Sequence, residues 1–424
     1  MARPKKENKE NDFFSKLAEQ TGGKVLKGIG SSKRFFDTGN LATNYISSGK
    51  FLKGGLPTGI TELYGPPATA KSLWGYTVLG LCQREGGYAI LLDCERSANE
   101  QFAIKAGHID ENKLLVYNPI TFEAIEAKIV TITTAIRKEK GMDVPIVFLW
   151  DSIGVAMTRR EWAETKLPEK YTIAEFKKIV GGKEQPGERA KASGKLLRKL
   201  NPFLDENNAS MIVINQTRAS IGTYGMDETT AGGGKALPFY ANCRIRTAAA
   251  KQIINKKREV PIGVNLKVKN KKNRSFVPML ATEEIQLYFD RGINPLSGLL
   301  TVLINAGRIE SASKGYWKIN EPWAGGKEDA KFQGSRVSNL IPISVLYEFP
   351  TLIDAEDADE VKNYLETFGS AVDIPSEEDI GEKAMSEEDD IDSDDKEALA
   401  IIEGKAEDEE STPTAKAMDL SFQF

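Results

Sequence analysis

Residues 60–72 read Ile60-Thr61-Glu62-Leu63-Tyr64-Gly65-Pro66-Pro67-Ala68-Thr69-Ala70-Lys71-Ser72: a short apolar strand, a Gly/Pro turn and a Lys-Ser pair. That pair opens a helical stretch from Leu73 to about Arg84. Between a strand and a helix, G-x-x-x-x-G-K-[ST] is a phosphate-binding loop. Its backbone N–H groups and the helix N-terminus cradle phosphates. On this reading Gly65, Pro66, Pro67, Ala68, Thr69, Ala70, Lys71, Ser72 and Leu73 hold a nucleotide. Lys71 reaches the β/γ-phosphates, and Ser72 holds Mg²⁺. Ala70 stands where glycine is expected. Its methyl should confine the backbone to negative φ and crowd the turn, while removing no N–H donor. The alternative is a Gly/Pro loop that only caps a helix.

A phosphate-binding loop needs a carboxylate on a second strand. Ile146-Val147-Phe148-Leu149-Trp150-Asp151 is an apolar run ending in Asp, placed to hold Mg²⁺ through water. The competing reading is an Asp that caps the next helix. Tyr88–Leu92 runs into Asp93-Cys94-Glu95, and Glu95, beside the γ-phosphate, is positioned to polarise the attacking water. Met211–Asn215 ends at Gln216, which would sense the γ-phosphate and pass its state into the loop beginning at Ala219.

The fold expected is α/β: a twisted, mostly parallel sheet with helices on both faces. Tyr88–Leu92, Val144–Trp150 and Met211–Asn215 are nearly continuous apolar runs, as doubly buried parallel strands are. Val264–Lys271 and Glu284–Phe289 alternate and read as antiparallel. Residues 1–32 read as a basic leader with a short helix (Asp12–Ala18) and linker, suited to docking on another protomer. Residues 33–320 read as the core, 321–370 as a small helical cap, and 371–424 as a disordered acidic tail. Two segments inside the core look unlike packed structure: Thr158 to about Gly187, and Ala219–Lys235.

The 424 residues suffice for a large core. Cys82, Cys94 and Cys243 are widely spaced, which argues against a disulfide framework or zinc site and for a reducing, cytosolic setting. His108, the single histidine, reads as a surface-turn residue and a poor candidate for a catalytic base. No long apolar run suggests a membrane span, and the polar N-terminus lacks the apolar centre of a signal peptide. Charge is segregated: residues 371–424 carry 19 acidic and 4 basic side chains, so the body is left strongly basic. Such a body suits a polyanion, with the tail as an internal competitor or as a solubilising segment. The closing Asp419-Leu420-Ser421-Phe422-Gln423-Phe424 could instead dock a replication or loader protein.

In order, the strand and phosphate-binding loop, D-x-E (Asp93–Glu95), F-L-W-D-S (148–152), I-N-Q-T-R (214–218), Gly-rich loop and V-K-N-K (268–271) resemble the RecA-type recombinases. The resemblance covers roughly Ser32 to Trp317. It implies a RecA-like ATPase core that uses ATP and Mg²⁺ and assembles into helical filaments on single-stranded DNA, pairing it with homologous duplex. It makes Glu95 the catalytic glutamate and Gln216 the γ-phosphate sensor. Asn99 and Phe102 contact adenine, and Phe289 covers the base. Lys269 and Lys271 reach the ATP of a neighbouring protomer; without the family they would read as solvated strand lysines. Arg198, Arg218, Gly233, Gly234 and Lys235 contact single-stranded DNA, glycine allowing close backbone approach to phosphate. Tyr224, Trp162 and Tyr171 either stack on bases or pack on their own loops.

The first loop is longer than in bacterial relatives, and with Ala70 it points to a divergent, phage-encoded member acting in the cytoplasm of its bacterial host. Two rival readings stay open. A hexameric helicase-type motor shares the core, but the short segment before Ser32 leaves little room for a helical N-terminal domain. An ATP-gated coat on single-stranded DNA with little hydrolysis is favoured by Ala70 and opposed by Glu95, Asp151 and the trans lysines.

Overall fold

The computed structural model describes residues 15–21, 34–98, 100–165, 187–218, 229–230, 235–276, 282–334, 340–369 and 380–384. Of the expected N-terminal helix, residues 15–21 are described; they are helical and largely exposed, Leu17 at 41%. The body then alternates. Helix α1 (Leu41–Ser48) leads to β1 (Gly59–Gly65), α2 (Lys71–Arg84), β2 (Tyr88–Asp93), α3 (Glu100–Gly107) and β3 (Leu114–Tyr117). It continues through α4 (Phe122–Lys140), β4 (Ile146–Asp151), α5 (Glu188–Glu206) and β5 (Ala209–Arg218). Strands β6 (Cys243–Asn255), β7 (Val260–Asn273), β8 (Thr282–Tyr288) and β9 (Gly292–Ile293) then follow one another.

These strands form an 11-stranded sheet in the order β9-β8-β7-β6-β1-β5-β4-β2-β3, with two short strands at its sides. From β3 to β6 all neighbours are parallel. From β6 to β9 they are antiparallel, as the alternating sequences of β7 and β8 predict. The chain leaves β1 for β2 on one side and returns to place β6 on the other. The carboxyl end of β1 is therefore a switch point, where a crevice opens in sheets of this kind.

Both faces of the parallel half are covered, which is why Ile146–Asp151 is buried at every position. On one face α4 presents Phe122, Ile125, Ile129 and Ile136, at helical spacing, with Leu196, Leu197, Leu200 and Leu204 of α5. Helix α4 is capped by Thr121, whose side chain accepts from the Ala124 amide, and ends at Gly141 in a positive-φ conformation. On the other face α1, α2 and α3 pack with Val147, Leu149 and Ile212. Gly75 brings α2 close to the sheet: a Cβ there would stand 2.6 Å from both methyls of Leu149.

Beyond β9 come α6 (Leu299–Asn305), β10 (Ile309–Ser313), β11 (Tyr316–Ile319), β12 (Lys331–Gln333), α7 (Ile343–Glu348) and α8 (Ala358–Glu366). The antiparallel sheet β10-β11-β12 crosses residue 320, so the expected helical cap contains strand as well as helix. Arg308 ties this region to the body. Its guanidinium pairs with Asp354 at 2.8 Å, donates to the carbonyls of Thr351 and Leu352, and lies against the rings of Tyr45, Phe51 and Trp323. A second departure falls in the acidic tail. Ile380–Ala384, expected to be unstructured, is a strand antiparallel to Lys251–Asn255 of β6. Strand β1 pairs with β6 only from Thr61 to Tyr64, so this part of β6 is an open edge that backbone hydrogen bonding can extend. Among the described residues no helix is long and apolar enough to cross a membrane.

Candidate nucleotide site and its link to the second loop

The expected site residues of β1, β2, β4 and β5 converge at the carboxyl ends of these strands. Registers Gly65↔Gln216 and Asp93↔Asp151 level these ends in two pairs, and Trp150↔Val213 sets the Asp93–Asp151 pair two residues behind the other. Gly65 is required there by close approach: a Cβ would stand 2.0 Å from the Thr247 carbonyl oxygen on β6.

The loop after Gly65 reaches α2 through two left-handed alanines, Ala68 at φ 57° and Ala70 at φ 52°. This corrects the expectation that the Ala70 methyl would hold the backbone at negative φ. Alanine adopts the glycine-like conformation at a cost of roughly 1–2 kcal/mol, and the loop keeps its course. No side chain caps α2, so the amides of its first turn are left for another acceptor. Lys71 is buried, and its Nζ donates to the carbonyls of Gly65 and Pro66 and to Thr69 Oγ1. Burial pushes its amine down to about 8, against the opposing pull of Asp151 and Glu95. Thr69 is in turn 3.0 Å from Thr247 Oγ1. Pro67 and Ala68 form the exposed rim, and the Leu73 side chain is in the core, leaving its amide as the part a phosphate could meet.

Ser72 Oγ donates to Asp151 Oδ2 at 2.6 Å. Burial pushes the Asp151 carboxyl up to about 6; the Ser72 hydrogen bond opposes this, and the neighbouring Glu95 and Asp93 add to it. A hydroxyl and a buried carboxylate side by side are the hard oxygen donors that Mg²⁺ takes, and the carboxylate gains a counter-charge from it. These residues fit both the ion and a nucleotide's phosphates. The Asp151 carbonyl accepts the amides of Cys94 and Glu95, which holds the turn carrying Glu95 against β4. Ser152 Oγ donates to Glu95 Oε1, and Asp93 accepts the amides of Ser97 and Ala98.

The remaining predicted residues fall as follows. Gln216 is exposed at the end of β5. At the next two residues, Thr217↔Thr230 and Arg218↔Thr229 pair across the base of the second loop, so β5 continues into the loop's root. Lys269 is half-buried and Lys271 exposed on β7; Lys269 pairs with Arg246, which pairs with Tyr64. Phe289 is 37% exposed, its amide bonded to the Ile262 carbonyl. Phe102 lies on α3. Arg198 is exposed on α5, and Lys235, exposed, stands at the N-cap of the short helix Ala236–Tyr240. Trp162, half-buried, lies on a helix spanning Arg159–Thr165. Asn99, Tyr171, Tyr224, Gly233 and Gly234 lie outside the described residues, as do the side chains of Phe102 and Arg218. His108 is half-buried rather than at the surface: its Nε2 lies 3.0 Å from the Arg291 carbonyl, and burial holds its pKa below the usual value.

Sequence reasoning passed over Ser152, Thr247 and the buried Glu62. Ser152 directly follows a named aspartate, a signal that was available. Thr247 and Glu62 act across strands, and nothing local marks them.

A parallel sheet whose switch-point strand ends in a phosphate-binding loop, with Ser72, Asp151 and Glu95 beside it, defines a P-loop nucleotide-binding protein. The sequence profile of the RecA N-terminal domain matches residues 22–294. The chain is 34% identical to Protein RecA of Thermus thermophilus over 269 residues, covering 62% of this chain and 70% of that protein. It is 32% identical over 282 residues to Protein RecA of Thermus aquaticus, covering 65% and 74%. To Protein RecA of Rhizobium rhizogenes it is 30% identical over 316 residues, covering 73% and 79%. The chain belongs to the RecA family.

Proposed function

We propose that this protein is an ATP-dependent recombinase that assembles as a helical filament on single-stranded DNA and promotes homologous pairing and strand exchange. The observation that carries the reading is the continuity of β5. Gln216 stands level with Gly65 of the phosphate-binding loop, and two residues later the same strand enters the root of the second loop. A change at the γ-phosphate thus has a short rigid path to a DNA-contacting segment.

In this reading Lys71 neutralises charge on the β/γ-phosphates, while Ser72 and Asp151 hold Mg²⁺. When bound, the ion neutralises charge that develops on the phosphate oxygens. Glu95, oriented by Ser152, takes a proton from the attacking water. Asn99, Phe102 and Phe289 hold the adenine. Lys269 and Lys271 act on the nucleotide of the next protomer, so the site is complete only in the assembly, and a head-to-tail contact of this kind propagates into a filament. The exposed helix at 15–21 offers the neighbour a docking element. Arg198, Arg218, Tyr224, Gly233, Gly234 and Lys235 contact the DNA backbone and bases. Against a coat with little hydrolysis, the reading that Ala70 favours, stand Glu95, Asp151 and the trans lysines. The long first loop and Ala70 support a divergent, phage-type member.

The test combines electron microscopy with DNA-stimulated ATP hydrolysis. With single-stranded DNA and a non-hydrolysable ATP analogue, helical filaments are expected, and rings would overturn the reading. Glu95→Gln should lower DNA-stimulated turnover by about 10²-fold or more while filaments still form. Unchanged turnover would remove Glu95 from the mechanism.

A further inference from the structure

Glu62, in the middle of β1, is completely buried, although nothing in the proposed chemistry uses it. Its two carboxylate oxygens are divided between two neighbouring strands. Oε2 accepts from Arg244 Nε on β6, and Oε1 accepts from Asn215 Nδ2 on β5 at 2.9 Å. Asn215, itself fully buried, turns its other side-chain atom forward: Oδ1 accepts the backbone amide of Gln216 at 3.0 Å. The Arg244 guanidinium completes the arrangement by lying over the ring of Tyr64, 4.6 Å from its centroid. Tyr64 immediately precedes Gly65 and is in register with Asn215.

A buried ion pair gains little stability over apolar side chains of the same size, and its best-attested use is to fix geometry. This one fixes geometry at a single place. It joins the strand that carries the phosphate-binding loop to the residue before Gln216, through hydrogen bonds from Arg244 and Asn215 to the two oxygens of one carboxylate. We infer that Asn215 is a positioning residue: held by the Glu62–Arg244 pair, it fixes the Gln216 amide relative to the phosphate-binding loop. The nucleotide state read at Gln216 is thereby transmitted to the second loop instead of being lost in local backbone motion. The inference rests on the proposed role of Gln216 as γ-phosphate sensor.

The experiment compares wild type, Asn215→Ala and Gln216→Ala by their affinity for fluorescent single-stranded oligonucleotide. Each is measured with a non-hydrolysable ATP analogue and with ADP, and the readout is the ratio of the two affinities. A wild-type ratio in the range of ~5–150 is ordinary for coupled sites. Asn215→Ala should bring the ratio to within about twofold of one, as Gln216→Ala does, while fluorescent ADP binds within about twofold of wild type. A purely structural loss would weaken both DNA affinities together and leave the ratio unchanged. Should the alanine variant not fold, Asn215→Ser carries a hydroxyl too short to span both partners and gives the same readout. A wild-type ratio in the folded Asn215 variant, with Gln216→Ala uncoupled, overturns the inference. A wild-type ratio in Gln216→Ala overturns instead the sensor role on which it rests.

Discussion

Ser72 Oγ lies 2.6 Å from Asp151 Oδ2, joining the first turn of α2 to the last residue of β4. Two residues 79 positions apart thus present adjacent oxygens, within the electrostatic reach of the Lys71 amine. Asp151→Asn keeps the shape and removes the charge. The expected result is Mg²⁺-dependent nucleotide binding weakened about 10- to 100-fold, the range for losing a charge-assisted contact, with little change in binding measured in EDTA. Titration of a fluorescent ATP analogue with and without Mg²⁺ checks it. Equal losses under both conditions would place Asp151 outside the metal site.

Ala70 sits at φ 52° where glycine is unstrained. Ala70→Gly removes a strain of roughly 1–2 kcal/mol and gives back part of it through greater freedom of the unfolded chain. A net gain of about 1 kcal/mol in unfolding free energy is expected from denaturant titration. Ala70→Val, branched at Cβ, should go the other way and weaken nucleotide binding as the loop shifts. If the glycine variant is less stable than wild type, the left-handed conformation is not the one the loop adopts.

His108 offers a clean pH probe because it is the single histidine. Burial holds its folded pKa below 6.5, and the bond to the Arg291 carbonyl only partly opposes this. Above pH 6.5 the ring is neutral in folded and unfolded chains, so it makes stability no more dependent on pH. As the pH falls through that value, the unfolded chain takes up a proton that the folded chain resists, so stability declines until the folded ring also titrates. The histidine ring signal in NMR should therefore titrate at lower pH in the folded protein than in urea. His108→Asn, which tolerates the positive φ at this position, should flatten the decline in stability between neutral and mildly acid pH.

The fold was legible where the pattern is local. Near-continuous apolar runs marked β2, β4 and β5 as buried parallel strands, and alternation marked β7 and β8 as antiparallel. The strand–loop–helix around Gly65–Ser72 was legible because its pattern occupies consecutive residues. What escaped depends on contacts between distant segments. Glu62, Asn215 and Arg244 look like ordinary strand residues until three strands align. Arg308 looks like a surface cation until the rings of Tyr45, Phe51 and Trp323 close around it. Ile380–Ala384 has no apolar pattern of its own, and becomes a strand by backbone pairing to an open edge of β6. The conformation of Ala70 escaped because a propensity argument gives a cost, and the surrounding loop was able to meet it.

Strand exchange tests the central claim most directly. Circular single-stranded DNA and homologous linear duplex are incubated with the protein, Mg²⁺ and ATP, and joint molecules and nicked circles are followed on a gel. The account predicts both products with homologous duplex and neither with heterologous duplex, with ADP, or with Lys71→Ala. Filaments and DNA-stimulated hydrolysis without any homology-dependent joint molecules would contradict it.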